Sequence, residues 1–423
     1  MPKLHSPPPL PQMTRIHQSF DRSRIDNVPE SVRSRLDASN VKLKPGTTLA
    51  IGVGSRGIDQ IAVVVKAIVD WAKDAGARPF IVPAMGSHGG ATADGQREVL
   101  AYYGVTEAST GAEIRSSMET VRLPQEDLEV PIFWDANAAK ADATIVVNRI
   151  KVHTDYHGKY ESGLIKMIAI GMGKQDQPMA IHERGVPGLT DLMPRVAFQK
   201  IKHSNLVMGV ALVENAYDEL CRIEAIPAKD IADAEPGILD DQRKRMPRLP
   251  IDDIDLLIVD EMGKDISGTG MDTNIIGRMF ITGEPEPTSP NCRVISVHSL
   301  TTGAHGNAVG TGLADVTTRR LADAADWAAT YENLYTATFL PRAKLPVVCE
   351  TDAQAMAFAV RGARGAGASL DRDGLRIVRI KNTLALEAVD VSAAVLADIE
   401  HRDDIQVIQR DRTILTGDHL TAF

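Results

Sequence analysis

Short, wholly apolar runs alternate with longer stretches of helical period through most of this chain, and that alternation leaves few architectures open. "TTLAIGVG" (47–54) reads as a strand closed by glycine. "IDQIAVVVKAIVDWAKDAG" (58–76) then carries apolar residues at helical spacing and stops at Gly76. The strand "RPFIVPAM" (78–85), a Gly-rich turn and the helix "ATADGQREVLAYYG" (91–104) repeat the pair. "ADATIVVNRI" (141–150) is the clearest buried strand, and "NLVMGVALV" (205–213) is another. Strands alternating with helices predict an α/β fold, with mostly parallel sheets wound by right-handed crossovers and flanked by helices.

The 423 residues exceed what one ordinary core serves, so two domains are expected. The charged, Pro-containing span "PGILDDQRKRMPRLPIDD" (236–253) marks the boundary, giving domains 1–250 and 251–423. After it the pattern restarts with strands 254–263 and 292–300, and "RRLADAADWAATYENLY" (319–335) reads as one amphipathic helix. A net charge of −9, with no Lys/Arg block among aromatics, argues against nucleic-acid binding. Cys221, Cys292 and Cys349 are too scattered for a disulfide framework and read as free thiols of a reducing compartment. The Pro-rich start "MPKLHSPPPLPQM" lacks the apolar core of a signal peptide, and no run is long enough to span a membrane. A cytoplasmic protein is expected.

Ligands of doubly wound folds bind outside the carboxyl ends of strands. Four strand ends here carry reactive groups, and all four are expected on one sheet edge. "GVGSRGI" (52–58) offers glycines that let backbone approach an anion, and Arg56, which is either a surface arginine or a bidentate anion partner. "MGSHGG" (85–90) sets His88 among small neighbours, as a structural histidine or as a general acid/base. "KVHTDYHGKYESGLIK" (151–166) packs titrating groups into one loop, with His182 sixteen residues further on. His153 and His157 lack the HExxH arrangement of a helical zinc site. Lys166, in an apolar Gly-punctuated stretch, is either snorkelling or desolvated and nucleophilic. "VDEMGKDISGTGMDTN" (259–274) places Glu261 and Lys264 on a Gly-rich loop, as a solvated turn or as contacts to a polar substrate. Composition and periodicity carry the reading to a small-molecule enzyme with basic and imidazole groups.

The order and spacing of these groups resembles the nickel-dependent lactate racemase family, whose members racemise or epimerise 2-hydroxy acids. Arg56 is followed 32 residues later by His88 in a Gly-Ser-His turn; His153 follows a buried strand and leads to Lys166; His182 stands sixteen residues beyond that lysine; Glu261 and Lys264 form a polar pair in the next domain. The resemblance implies a nickel-pincer nucleotide, a pyridinium mononucleotide whose two sulfur arms and one ring carbon bind nickel. Lys166 would hold it covalently and His182 would be the fourth nickel ligand. It implies His88 and His153 as the two acid/base residues, Arg56 and Lys264 as clamps on the substrate carboxylate with Glu261 beside them, and Gly54, Ser55, Gly86 and Ser87 as backbone against the cofactor. Residues 1–250 would form the cofactor and catalytic domain, and 251–423 would close the active-site cleft. The implied partners are a small 2-hydroxy acid and cofactor-biosynthesis proteins.

The sequence departs from the family pattern in two places. The loop before Lys166 is longer and more charged, so His157 rivals His153, which is favoured because it lies nearer the strand end. Glu261 replaces a neutral polar residue, and a polar loop suits a sugar acid better than lactate. Two other readings stay open: a nickel-free sugar-acid dehydratase or oxidoreductase, and a non-catalytic hydroxy-acid sensor.

Overall fold

A computed structural model describes residues 10–55 and 57–423. The chain forms two compact units, one of Asp21–Met246 and one of Pro247–Phe423 joined by the described residues up to Phe20. The division thus falls at Met246/Pro247 rather than at residue 250, and the N-terminal strand belongs to the second unit. Met13–Gln18 pairs antiparallel with both Ala388–Ser392 and Ile405–Arg412. It is held there by Met13 and Ile16, both fully buried, and by Arg15, whose guanidinium donates to both oxygens of Asp390 at 2.5 and 2.8 Å.

In the first unit a six-stranded sheet runs in the order Glu113–Ile114, Arg78–Pro83, Thr48–Val53, Ala143–Arg149, Leu206–Glu214, Leu220–Pro227. The first five are parallel, and the last returns as an antiparallel neighbour. Ile51, Ile145 and Val147 are wholly buried between sheet and helices; each contributes about 1.5–3 kcal/mol relative to exposure. The helix Ile61–Asp74 buries Ile61, Val64, Val65, Ile68 and Ala72 along one face. It begins three residues later than its period suggests, because Gln60 takes a left-handed conformation (φ 53°). Thr92 starts the next helix, Ala93–Tyr102, by accepting the Gly95 N–H. The chain runs outward from Thr48–Val53 to Arg78–Pro83 and Glu113–Ile114, then restarts on the other side with Ala143–Arg149. That reversal opens a crevice at the carboxyl ends of the two central strands.

In the second unit an eight-stranded sheet runs Val347–Cys349, Val316–Thr318, Asn291–Leu300, Asp253–Met262, Ile377–Ile380, Ala388–Ser392, Met13–Gln18, Ile405–Arg412. Its first five strands are parallel. The charged span 236–253 lies mostly in a helix, Ile231–Arg245. The single helix expected over 319–335 is two, Arg319–Ala324 and Trp327–Ala337. Ala325 is extended, and the Asp326 carboxylate accepts the N–H groups of Ala328 and Ala329, so a new helix starts where the old one would have continued.

Two buried polar networks brace this sheet. Arg379, fully buried, donates to both oxygens of Asp260 at 2.8 and 2.7 Å and lies 3.7 Å from Asp390. Ser296, His298 and Asp352 form a row with contacts of 2.9 and 2.8 Å. Burial raises the Asp352 carboxyl, but hydrogen bonding and charge from His298 outweigh it and hold the group at about 2. The row has the connectivity of a hydrolytic triad, yet none of the three side chains is more than 2% exposed, so it is a structural brace. Among the described residues no helix is long and apolar enough to cross a membrane.

Candidate functional site

Three of the four reactive strand ends meet at the crevice edge of the six-stranded sheet. The fourth belongs to the other unit's sheet: Glu261 lies in the strand Asp253–Met262 and Lys264 just after it. Local pattern marks a strand end but not the sheet to which the strand belongs. Arg56 lies outside the described residues.

The loops after Thr48–Val53 and Arg78–Pro83 are joined by Ser55 Oγ and His88 Nδ1, 2.6 Å apart, with the His88 ring exposed. Gly86 (φ +62°) lets this turn lie on the segment beyond Lys166; a Cβ there would come within 3.2 Å of Ile170 and Pro178. Gly54 makes room in the same way for Met167 and Asn148. Packing therefore accounts for both glycines. Ser87 is exposed beside His88. Buried Gln96 donates its amide hydrogens to the carbonyls of Gly86 (2.8 Å) and His88 (3.2 Å).

The charged loop 151–162 is closed at its base by a backbone pair between Lys151 and Ser162. Its organiser is Glu161, fully buried, which accepts the His153 N–H (2.6 Å), the Gly158 N–H (3.2 Å) and the Arg243 guanidinium (2.5 Å). Burial opposes its ionisation, but hydrogen bonds from His157 and the His153 backbone, with the charges of His157 and Arg243, hold it below the usual carboxylate range. His157, 43% exposed, faces this carboxylate at 3.4 Å. The extra charges of the loop thus shape it, and of the two rival histidines His153 is the one that faces Lys166.

His153 Nε2 lies 2.5 Å from Lys166 Nζ, while its Nδ1 accepts the Asp155 N–H at 3.0 Å. Its ring stacks on Tyr156 with centroids 4.4 Å apart. One hydrogen lies between these two nitrogens, donated by the imidazole or by the lysine, and a lysine that has given up its proton here is an uncharged amine. Such an amine is a nucleophile. His182 ends the helix Asp176–His182 with its ring accessible. Desolvation and the nearby Lys166, when protonated, push its imidazole down, against the opposing pull of Asp155.

Sequence reasoning missed Glu235. From the helix Ile231–Arg245 its carboxylate reaches the start of the helix Leu164–Ala169 and accepts the Ile165 N–H at 2.9 Å. Its Oε1 has no hydrogen-bond partner and would stand 2.3 Å from a Cβ at Gly163, so a larger residue there would push the carboxylate aside. Nothing in "ADAEPGILDD" sets this glutamate apart from a surface helix residue. Burial raises its carboxyl to about 7, against the pull of the Ile165 and Leu164 N–H groups. The native state therefore holds this proton more tightly than the unfolded chain between pH 4.5 and about 7, and stability falls as pH rises through that window. Glu235→Gln keeps an acceptor for the helix N–H and removes the charge. It is expected to melt above the parent near pH 8, by roughly 3 kcal/mol at most, and to converge on it near pH 4.5. Paired thermal melts at the two pH values check this.

In the second unit, Glu261 Oε1 accepts from Asn382 at 2.8 Å and lies 3.8 Å from Lys381 Nζ. Lys264 Nζ donates to the Gly268 carbonyl of its own loop at 2.5 Å. Lys381 and Asn382 come from the end of the neighbouring strand Ile377–Ile380, far away in sequence and so not foreseen. Among the described residues no three His, Cys, Asp or Glu converge to hold a metal on their own.

No family model and no curated protein matches the chain. Among solved structures it is similar to the lactate racemase apoprotein from Thermoanaerobacterium thermosaccharolyticum, with 11% identity and a TM-score of 0.51 over 88% of this chain and 99% of that one. A structural-genomics protein from Thermotoga maritima is also similar, with 11% identity and a TM-score of 0.46 over 82% of this chain and 84% of that one. At such identity the likeness to the first is one of fold. The chain has a lactate-racemase-like α/β fold.

Proposed function

We propose that this protein is a racemase or epimerase of a 2-hydroxy acid that works with a nickel-pincer nucleotide. The observation that carries the reading is the meeting of Lys166 Nζ with His153 Nε2, at a sheet edge that also holds His88. The donor set suits the group. Lys166 offers an amine for covalent attachment, and His182 offers one accessible imidazole. A lone imidazole suits an ion that arrives with its other donors already bound.

When bound, the group supplies an acceptor for the hydride on the substrate's α-carbon. The chain's own residues do the rest. One imidazole, His153 or His88, takes the hydroxyl proton, and the other serves the opposite enantiomer, since a near-symmetric reaction needs a base on each side. Glu161 fixes the His153 backbone and the Asp155 N–H fixes its ring. Ser55 orients His88. Arg56 remains assigned to the substrate carboxylate, and the charged loop favours a polyhydroxylated acid.

The test is protein co-expressed with a pincer-cofactor biosynthesis system, with intact mass and bound nickel measured beside His182→Ala. Single-enantiomer lactate, glycerate and gluconate are then offered, with chiral readout. A mass adduct, nickel that is lost with His182→Ala, and interconversion of one of the acids are expected. No adduct and no nickel, with a lactate racemase loading normally alongside, would sink the proposal and leave an ordinary acid/base enzyme as the reading.

A further inference from the structure

We infer that Lys174 and Gln96 form a buried pin that sets His88 in register with Lys166, so that both are positioning residues of the proposed reaction. This rests on the function proposed above.

Lys174 stands between the helix that carries Lys166 and the helix that ends at His182. Its side chain is fully buried, and its backbone (φ 50°, ψ −142°) lies close to a region used almost only by glycine. A lysine persists in such a conformation where its surroundings over-determine it, and such residues cluster at functional sites. Its Nζ makes two hydrogen bonds and one ion pair. Nζ is 2.8 Å from Asp135 Oδ2, 2.5 Å from the Pro83 carbonyl and 3.5 Å from Gln96 Oε1.

Gln96, also fully buried, carries the linkage onward to the Gly86 and His88 carbonyls. A third tie runs beside them, from the Gly86 N–H to the Gly171 carbonyl at 3.3 Å. One ammonium thus fastens the end of the strand Arg78–Pro83, and through Gln96 the turn bearing His88, to the segment that joins Lys166 to His182. A buried ion pair is weak evidence for stability, since apolar residues of equal volume often serve as well; what this arrangement supplies is register between two loops.

Gln96→Met tests the pin, because it keeps the side chain's length and leaves the Lys174–Asp135 pair intact. On the unloaded protein, diethyl pyrocarbonate labelling of His88 is expected to speed up relative to His157, read by peptide mass. Amide exchange over residues 86–91 is expected to speed up while that of Thr48–Val53 does not. On loaded protein the Lys166 adduct and nickel should be retained, while kcat on whichever of lactate, glycerate or gluconate the parent turns over falls by about 10²-fold with KM little changed, the signature of a misplaced group. Unchanged labelling and exchange at 86–91, or exchange that rises equally in Thr48–Val53, would overturn the pin, as would an unchanged kcat. Should the parent itself not load, the proposed function fails, and labelling and exchange still decide whether Gln96 holds the His88 turn.

Discussion

Lys166→Ala is expected to give a folded protein with no mass adduct and turnover reduced by at least about 10⁴-fold. Lys166 is only half-buried and its hydrogen-bond partner is His153, so losing it should shift stability by no more than about 1 kcal/mol. Lys166→Arg sharpens the test. It keeps positive charge near His182 and His153, but a guanidinium stays protonated and cannot act as the amine nucleophile. If the residue matters through its charge, arginine rescues; if it matters through an uncharged amine shared with His153, arginine is as inactive as alanine. Intact mass, chiral turnover and a thermal melt on the three proteins decide between these outcomes. An arginine variant with full turnover would remove the lysine from the mechanism.

Arg379→Met is expected to destabilise the second unit by about 3–5 kcal/mol, the cost of leaving buried charge without its partner. Asp390 keeps Arg15 and Arg412, the latter at 3.1 Å. Asp260 loses the bidentate contact that opposes its desolvation. Burial already raises the Asp260 carboxyl despite Arg379, and without the arginine it rises further. A carboxyl with a raised folded pKa is carried most easily when protonated, so the variant should lose stability as pH rises above 3.8, more steeply than the parent. Adding Asp260→Leu removes the stranded charge and should recover most of the loss. Urea unfolding of the parent and the two variants at pH 5 and pH 8 gives the comparison. A single variant as stable as the parent would mean that the Asp260–Arg379 pair contributes nothing net.

The legible part of this protein was whatever depends on neighbours a few residues apart. Apolar runs such as "ADATIVVNRI" and helical periods such as 58–76 announced strands and helices, and their alternation announced α/β layers. The rule that loops at strand carboxyl ends carry function then pointed to His88, His153 and Lys166 before any contact was visible. Helix ends were less legible, because a local competitor such as the Asp326 carboxylate can start a new helix inside a continuous apolar period.

What lay beyond reach was every property created by pairing across sequence distance. Arg15 meets Asp390 across 375 residues, which places the first strand in the last sheet. Glu235 reaches Ile165 across 70, and Lys174 reaches Pro83 across 91. These side chains look like ordinary surface charges in the sequence, because desolvation and hydrogen-bond partners come from elements that are remote until the chain folds. The residue types and their order suggested the chemistry proposed for the candidate site; folding set which imidazole faces the lysine, which carboxylate is buried, and which sheet receives each strand.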